Sequence, residues 1–168
     1  MAQSVKQISL SLQINGVQRS IECEPSTLLV DALRDGLHLT GTHIGCDTAQ
    51  CGACTVLADG VAVKSCNVLA LQMQQREIRT IESVGTPEPL HVMQQAFSAH
   101  HALQCGYCTP GLIMRALAMH AEGVPPEPQA VREALMGNIC RCTGYAGIVA
   151  AICEGLTKMR AVEREDLR

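Results

Sequence analysis

The sequence predicts an α+β protein, with a small mixed sheet in the first half and helices in the second. Two observations carry this: apolar residues alternate with period two in the early segments, and after "GTPEP" (85–89) their spacing becomes helical. A third bounds the size, since 168 residues at 47% hydrophobic composition supply a packed core for one large domain or two small ones.

Ile8, Leu10, Leu12 and Ile14 alternate with Ser9, Ser11 and Gln13, the pattern of a half-buried strand. Asn15-Gly16 supplies the positive φ angles of a tight hairpin turn, and Val17 to Glu22 is the returning strand. "PSTLLVDALRD" (25–35) offers Ser26 or Thr27 as the N-cap of a short helix that stops at Gly36. Asp59-Gly60 joins "CTVLA" to "VAVKSC" as a second hairpin, and "REIRTIESV" (76–84) reads as the last strand. Helices are expected over 89–100, 109–121, 129–136 and 144–160. The prolines of "EGVPPEP" (122–128) separate the second from the third. These boundaries divide the chain into a sheet domain over 1–84, a helical bundle over 85–160 and a polar tail over 161–168.

A formal charge of -3 with no run of Lys or Arg gives no electrostatic footprint for nucleic acid or an anionic membrane. Phe97, Tyr107 and Tyr145 are the whole aromatic complement, too few to stack single-stranded bases. No apolar run approaches transmembrane length. The enrichment lies in sulfur, with ten cysteines at 23, 46, 51, 54, 66, 105, 108, 140, 142 and 153. The opening "MAQSVKQISLSLQING" has no basic region, apolar stretch or twin arginine of a secretory signal, so a reducing cytoplasm is expected. There, clustered cysteines bind metal or do redox chemistry more often than they cross-link a fold.

"GCDTAQCGAC" sets Cys46, Cys51 and Cys54 in the spacing C-x4-C-x2-C, with Cys66 following. This is the plant-type [2Fe–2S] arrangement, in which one loop curls around a compact cluster and a neighbouring segment brings the fourth thiolate. Gly45 and Gly52 let the loop curl and bring backbone N–H groups to the sulfurs, which helps set the reduction potential. A structural zinc site prefers ligands in pairs from two knuckles, and a lone dithiol leaves Cys46 and Cys66 idle. A Rieske centre needs two histidines beside cysteines, which none of the six histidines offers.

"QCGYCTPG" (104–111) and "GNICRCTGY" (137–145) carry Cys105, Cys108, Cys140 and Cys142. Residues two apart on a helix face nearly opposite ways, so Cys140 and Cys142 must lie on a loop or a helix entry to share one object. Thr109 as N-cap with Pro110 at the first helical position, and Thr143 as a second N-cap, would bring two helix N-termini to four thiolates. That favours an anion, and a four-thiolate [2Fe–2S] cluster carries about -2 oxidised and about -3 reduced. A thioredoxin-like dithiol at "CGYC" leaves Cys140 and Cys142 unexplained. Spacing alone leaves zinc and a cluster equally open at this second site.

"HIGCDTAQCGACTV", "LQCGYCTPG" and "GNICRCTGY", in this order within residues 6 to about 157, resemble the iron–sulfur subunit of the molybdenum hydroxylases. That family includes xanthine dehydrogenases, aldehyde oxidoreductases, carbon monoxide dehydrogenases and bacterial N-heterocycle oxidoreductases. The resemblance implies a β-grasp ferredoxin domain followed by a four-helix bundle, each with one [2Fe–2S] cluster. Cys46, Cys51, Cys54 and Cys66 would hold the first, and Cys105, Cys108, Cys140 and Cys142 the second. By the same resemblance Gln104 and Cys142 would approach the pterin of a molybdopterin, in cytosine dinucleotide form, held by a large partner subunit. A medium subunit would carry FAD, in a dimer of heterotrimers, and electrons would run from pterin to second cluster to first cluster to FAD.

Cys23 shares the parity of Ile21, and Cys153 lies on the stripe Val149, Ile152, Leu156, so both are expected in the core. His100 and His101 suit a helix C-terminus, and Met114, Leu117 and Met119 are expected to pack. Tyr107 and Tyr145 would shield the second cluster or touch a partner. A free-standing ferredoxin-like carrier is the alternative, although a simple carrier needs no helical half; a zinc-stabilised interaction module stands behind it.

Overall fold

A computed structural model describes residues 6–85 and 88–166. The fold is α+β, a five-stranded mixed sheet followed by helices. The expected domain boundary at 85–89 falls partly on residues outside those described.

Strands β1 (Ile8–Ile14) and β2 (Val17–Cys23) form the predicted hairpin, with Ile14 opposite Val17. Asn15 and Gly16 take φ of 54° and 76°, as the turn requires. β3 (Thr55–Ala58) and β4 (Val61–Lys64) form the second hairpin through Asp59 and Gly60, at φ of 50° and 81°. β5 (Glu77–Arg79) pairs parallel with β1 and antiparallel with β3, giving the order β2-β1-β5-β3-β4.

The last strand is shorter than the alternation of 76–84 suggests. The Asn15 side chain captures the strand's end: its Oδ1 accepts the Thr80 N–H at 2.8 Å and its Nδ2 donates to Thr80 Oγ1 at 2.9 Å. The chain then turns into a 3-10 segment, Ile81–Ser83. Helix α1 (Leu29–Asp31) runs into a π-helical turn, Ala32–Gly36, and neither Ser26 nor Thr27 caps it. Its first amide is taken by the backbone, Leu29 N–H to Val68 O at 2.9 Å, so no side-chain cap is needed there. Leu10, Leu12, Ile14, Leu29, Leu33, Val56 and Ile78 close the core between the sheet and this helix.

Helices α2 (Val92–Ala99), α3 (Thr109–Ala121), α4 (Pro128–Ala134) and α5 (Ala146–Asp166) match the four predicted, with α5 running past the expected end at 160 into the polar tail. Their core gathers Met93, Phe97, Leu112, Met114, Met119, Ile148 and Ile152, with Leu117 also buried. Cys23 is buried, and Cys153 packs half-buried against the helical core. His100 closes α2, where its Nε2 lies 2.6 Å from Glu154 Oε2 on α5. Among the described residues, no helix is long and apolar enough to cross a membrane.

α3 lies against β3, which brings the two halves together where the cysteines are. Gly111 makes this possible, because a Cβ there would stand 2.3 Å from Gly52 O and 3.0 Å from Ala53 O.

Candidate iron–sulfur centres

The loop between the π-helical turn and β3 carries Cys46, Cys51 and Cys54, and the 3-10 segment Ser65–Asn67 that ends β4 carries Cys66. Ala49 and Gly52 adopt left-handed φ of 55° and 70°, which curls the loop. Gly45 passes so close to Cys51 that a Cβ would lie 3.1 Å from its Sγ. The Cys51 N–H points at Cys46 Sγ at 3.4 Å. That amide, with those of Thr48 and Gln50, pulls the Cys46 thiol down to about 6. Burial raises Cys51, and burial followed by the neighbouring Cys54, Cys46 and Cys51 pushes Cys66 up to about 12. Lys64 Nζ ties the loop to β4, donating to Ala49 O at 2.7 Å and Gln50 O at 3.1 Å.

The second group forms where the approach to α3 meets the approach to α5. Cys108 itself is the N-cap residue of α3. Thr109 does not cap; it lies inside the helix, and its Oγ1 is buried without a partner among the described residues. Thr143 acts closer to expectation, its Oγ1 accepting the Tyr145 N–H at 3.2 Å just ahead of α5. Cys105 and Cys142 Sγ stand 3.5 Å apart on the exposed side. Cys108 and Cys140 lie deeper and interact with each other. Burial, then Cys140, pushes Cys108 up to about 12. Burial would raise Cys140 too, but the Thr143 hydroxyl and the amides of Cys142 and Thr143 outweigh it, and the thiol is lowered. The Tyr107 N–H lowers Cys105, while Cys105 itself raises Cys142.

The structure therefore brings the eight cysteines into the two groups of four that the sequence grouped. Within each group burial raises the inner thiols, amide and hydroxyl hydrogen bonds lower Cys46 and Cys140, and the neighbouring sulfurs add to the upward shifts of Cys66 and Cys108. A cationic iron core among them would offset that burial cost and hold all four as thiolates. The all-sulfur donor set and the backbone N–H groups aimed at Cys46 and Cys140 thus fit a [2Fe–2S] cluster. Among the described residues, no three Cys, His, Asp or Glu side chains close around a point as a single ion requires.

The two groups touch. The Ile139 N–H, beside Cys140, donates to Cys51 O at 2.8 Å. Asn138 Nδ2 donates to Gly52 O at 3.1 Å and Thr55 Oγ1 at 3.3 Å. On the outer side the His43 and Tyr107 rings stack at 4.5 Å between centroids, His43 Nδ1 lies 2.8 Å from Tyr107 O, and Tyr107 O–H donates to Ile44 O at 2.8 Å. A cavity of about 200 Å³ between the groups is lined by Cys51 from the first and by all four cysteines of the second. Tyr145 O–H braces the second group, donating to Asn138 O at 3.2 Å and accepting the Cys140 N–H at 2.8 Å. Gln104 is exposed beside the exposed Cys105. Sequence reasoning assigned no role to His43, Lys64, Thr55 or Asn138; the last lies inside "GNICRC", yet its partners are more than eighty residues away.

Two groups of four thiols on a ferredoxin-like α+β fold define an iron–sulfur electron-transfer protein. Family models agree: a "2Fe-2S iron-sulfur cluster binding domain" matches residues 12–80 and a "[2Fe-2S] binding domain" matches 80–153. The chain is 49% identical to the β subunit of the 6-hydroxypseudooxynicotine dehydrogenase complex of Paenarthrobacter nicotinovorans, over 84% of this chain and 89% of that one. It is 44% identical to the nicotine 6-hydroxylase small subunit of the same organism, over 88% of each. Among solved structures, quinoline 2-oxidoreductase from Pseudomonas putida 86 contains a chain that superimposes with a TM-score of 0.88 at 43% identity, covering 94% of this chain and 97% of its own. Aldehyde oxidoreductase from Desulfovibrio desulfuricans superimposes with a TM-score of 0.86 at 40% identity, but the match takes up 17% of that longer chain. The protein belongs to the [2Fe–2S] subunits of the molybdenum hydroxylases, and its role is electron transfer.

Proposed function

We propose that this chain is the relay between a molybdopterin centre on a large partner subunit and FAD on a medium one. Cys105, Cys108, Cys140 and Cys142 would hold the cluster facing the pterin, and Cys46, Cys51, Cys54 and Cys66 the cluster facing the flavin. Bound there, the two clusters supply one-electron carriers; the residues supply placement, insulation and hydrogen bonds to sulfur. The observation that carries the reading is the direct contact of the two groups through Cys51 O and the Ile139 N–H.

Exposure supports the order of the relay. Cys105 and Cys142 are exposed, and Gln104 and the apolar Leu103 and Tyr107 stand exposed beside them, a face suited to a partner's cofactor. Gln104 has an amide able to pair with both donors and acceptors of a pterin edge, and Cys142 offers the nearest sulfur. In the first group, by contrast, Cys46, Cys51 and Cys66 are half-buried and Cys54 is buried. The division into a β-grasp unit over 1–84, a four-helix unit over 85–160 and a tail over 161–168 is part of the proposal. It is supported by two core clusters, one within the sheet half and one that gathers the helices together with Leu57 and Val84, and by the two adjoining family matches. A cytoplasmic location, a cytosine dinucleotide on the pterin and a dimer of heterotrimers complete it, the first favoured by this many free thiols.

Isolation through a tag on this chain tests the reading. A stable complex containing molybdenum and flavin, whose substrate reduces both clusters, is the expected result. A chain that works alone, reduced and reoxidised by soluble donors, would make it a free carrier instead.

A further inference from the structure

We propose that Asn138 is the positioning residue that fixes the distance and orientation between the two cages, and with them the electronic contact between the centres. The inference rests on the two-cluster reading above. Asn138 is 6% exposed, and the segment it belongs to leads directly into Cys140 and Cys142. Its two amide hydrogens reach two acceptors on the first cage's loop and the strand that follows, Gly52 O and Thr55 Oγ1.

Satisfaction of Gly52 O does not require this amide. That carbonyl already accepts the Thr55 N–H at 3.2 Å and the Thr55 hydroxyl at 2.7 Å, which fill its two lone pairs. The third donor comes from the other half of the chain and acts as a cross-link. The packing leaves no slack around it: a Cβ at Gly52 would meet Asn138 Nδ2 at 2.6 Å and Gly137 O at 2.4 Å. Asn138 is itself held from behind, its N–H donating to Leu135 O at 2.9 Å and its carbonyl accepting from Tyr145. The neighbouring Ile139 N–H is thereby kept on Cys51 O. On the other side of the cages the His43–Tyr107 link is exposed to water, where hydrogen bonds hold less firmly than in a buried, low-dielectric site.

The test uses the full chain with its clusters, reduced with dithionite and read by electron paramagnetic resonance. Two unpaired spins couple through space with a strength that falls as the cube of their separation, so the splitting each signal imposes on the other is a ruler between the cages. Asn138→Leu keeps the side chain's shape and removes both donors. The expected result is full iron and sulfide, both signals at their own positions, and a splitting that is narrowed and spread into a distribution. Asn138→Leu with full iron and wild-type splitting would overturn the proposal, since a residue that only stabilised the fold would lower the unfolding temperature and leave that splitting alone. Should Asn138→Leu fail to take up iron, Thr55→Val decides, because it removes one of the two acceptors and the proposal requires a smaller change of the same sign; an unchanged splitting overturns it. A wild-type chain without iron would instead sink the two-cluster reading on which the proposal stands.

Discussion

Gly111→Ala probes the contact that joins the two halves. The added methyl would stand 2.3 Å from Gly52 O, with Ala53 O at 3.0 Å, and both neighbours are backbone of the loop that carries Cys51 and Cys54. Ordinary contact requires α3 and that loop to separate by about 1 Å, and neither can yield as a flexible side chain would. Overpacking of this kind costs about 1–3 kcal/mol. Because cluster loss makes unfolding irreversible, the suitable quantity is the rate of bleaching at a fixed elevated temperature. A cost of about 2 kcal/mol, expressed mostly in unfolding, shortens the half-life of the visible absorbance about tenfold. Iron content at room temperature should remain complete, which separates faster loss from failed assembly. Wild-type bleaching kinetics in a fully loaded Gly111→Ala chain would refute the claim that α3 and the cage loop are in hard contact.

Cys46→Ser and Cys105→Ser should each remove a different one of two paramagnetic signals from the reduced protein; loss of the same signal in both would break the grouping into two cages. Asn15→Gly keeps the hairpin turn but strips the buried Thr80 N–H of its acceptor, so the sheet half should lose about 1–3 kcal/mol, read as faster bleaching of the first centre's signal. His91 caps α2 through Nδ1, which accepts the Met93 N–H at 3.2 Å and can do so only unprotonated. Burial, then the charges of Arg79 and His120, holds this ring below its usual value. The unfolded chain therefore binds a proton that the folded chain refuses. The stability contribution is present above the ordinary histidine value of about 6.5 and is lost as pH falls below it. His91→Asn retains a cap without a titrating group, so the difference in thermal stability between wild type and His91→Asn should shift against the wild type from about pH 7 to about pH 5.5; a difference constant with pH would contradict this.

Local chemistry made much of the fold legible. Alternation placed β1 and β2, Asn15-Gly16 and Asp59-Gly60 placed both hairpins, and the prolines around 125–128 separated α3 from α4. Two of the misses arise where a distant backbone or side chain supplies what a local residue was expected to supply, and a third is a one-residue shift of a helix start. Val68 O replaces the Ser26 or Thr27 cap, Asn15 ends the last strand at Thr80, and Cys108 takes the cap position assigned to Thr109. The grouping of the cysteines was legible because the ligands of a compact cluster come in short, rigidly spaced runs. The joint between the cages was not. The bonds from Asn138 and Ile139 to Gly52, Thr55 and Cys51 span most of the chain, and no periodicity or spacing in a single sequence records such a pairing.

The most direct test of the account is quantitative: iron and acid-labile sulfide per chain in anaerobically prepared protein, with integration of the paramagnetic signals after reduction. Two [2Fe–2S] centres predict about four irons, about four sulfides and about two spins per chain. A colourless protein with zinc in place of iron, or an iron content that supports a single centre, would contradict it.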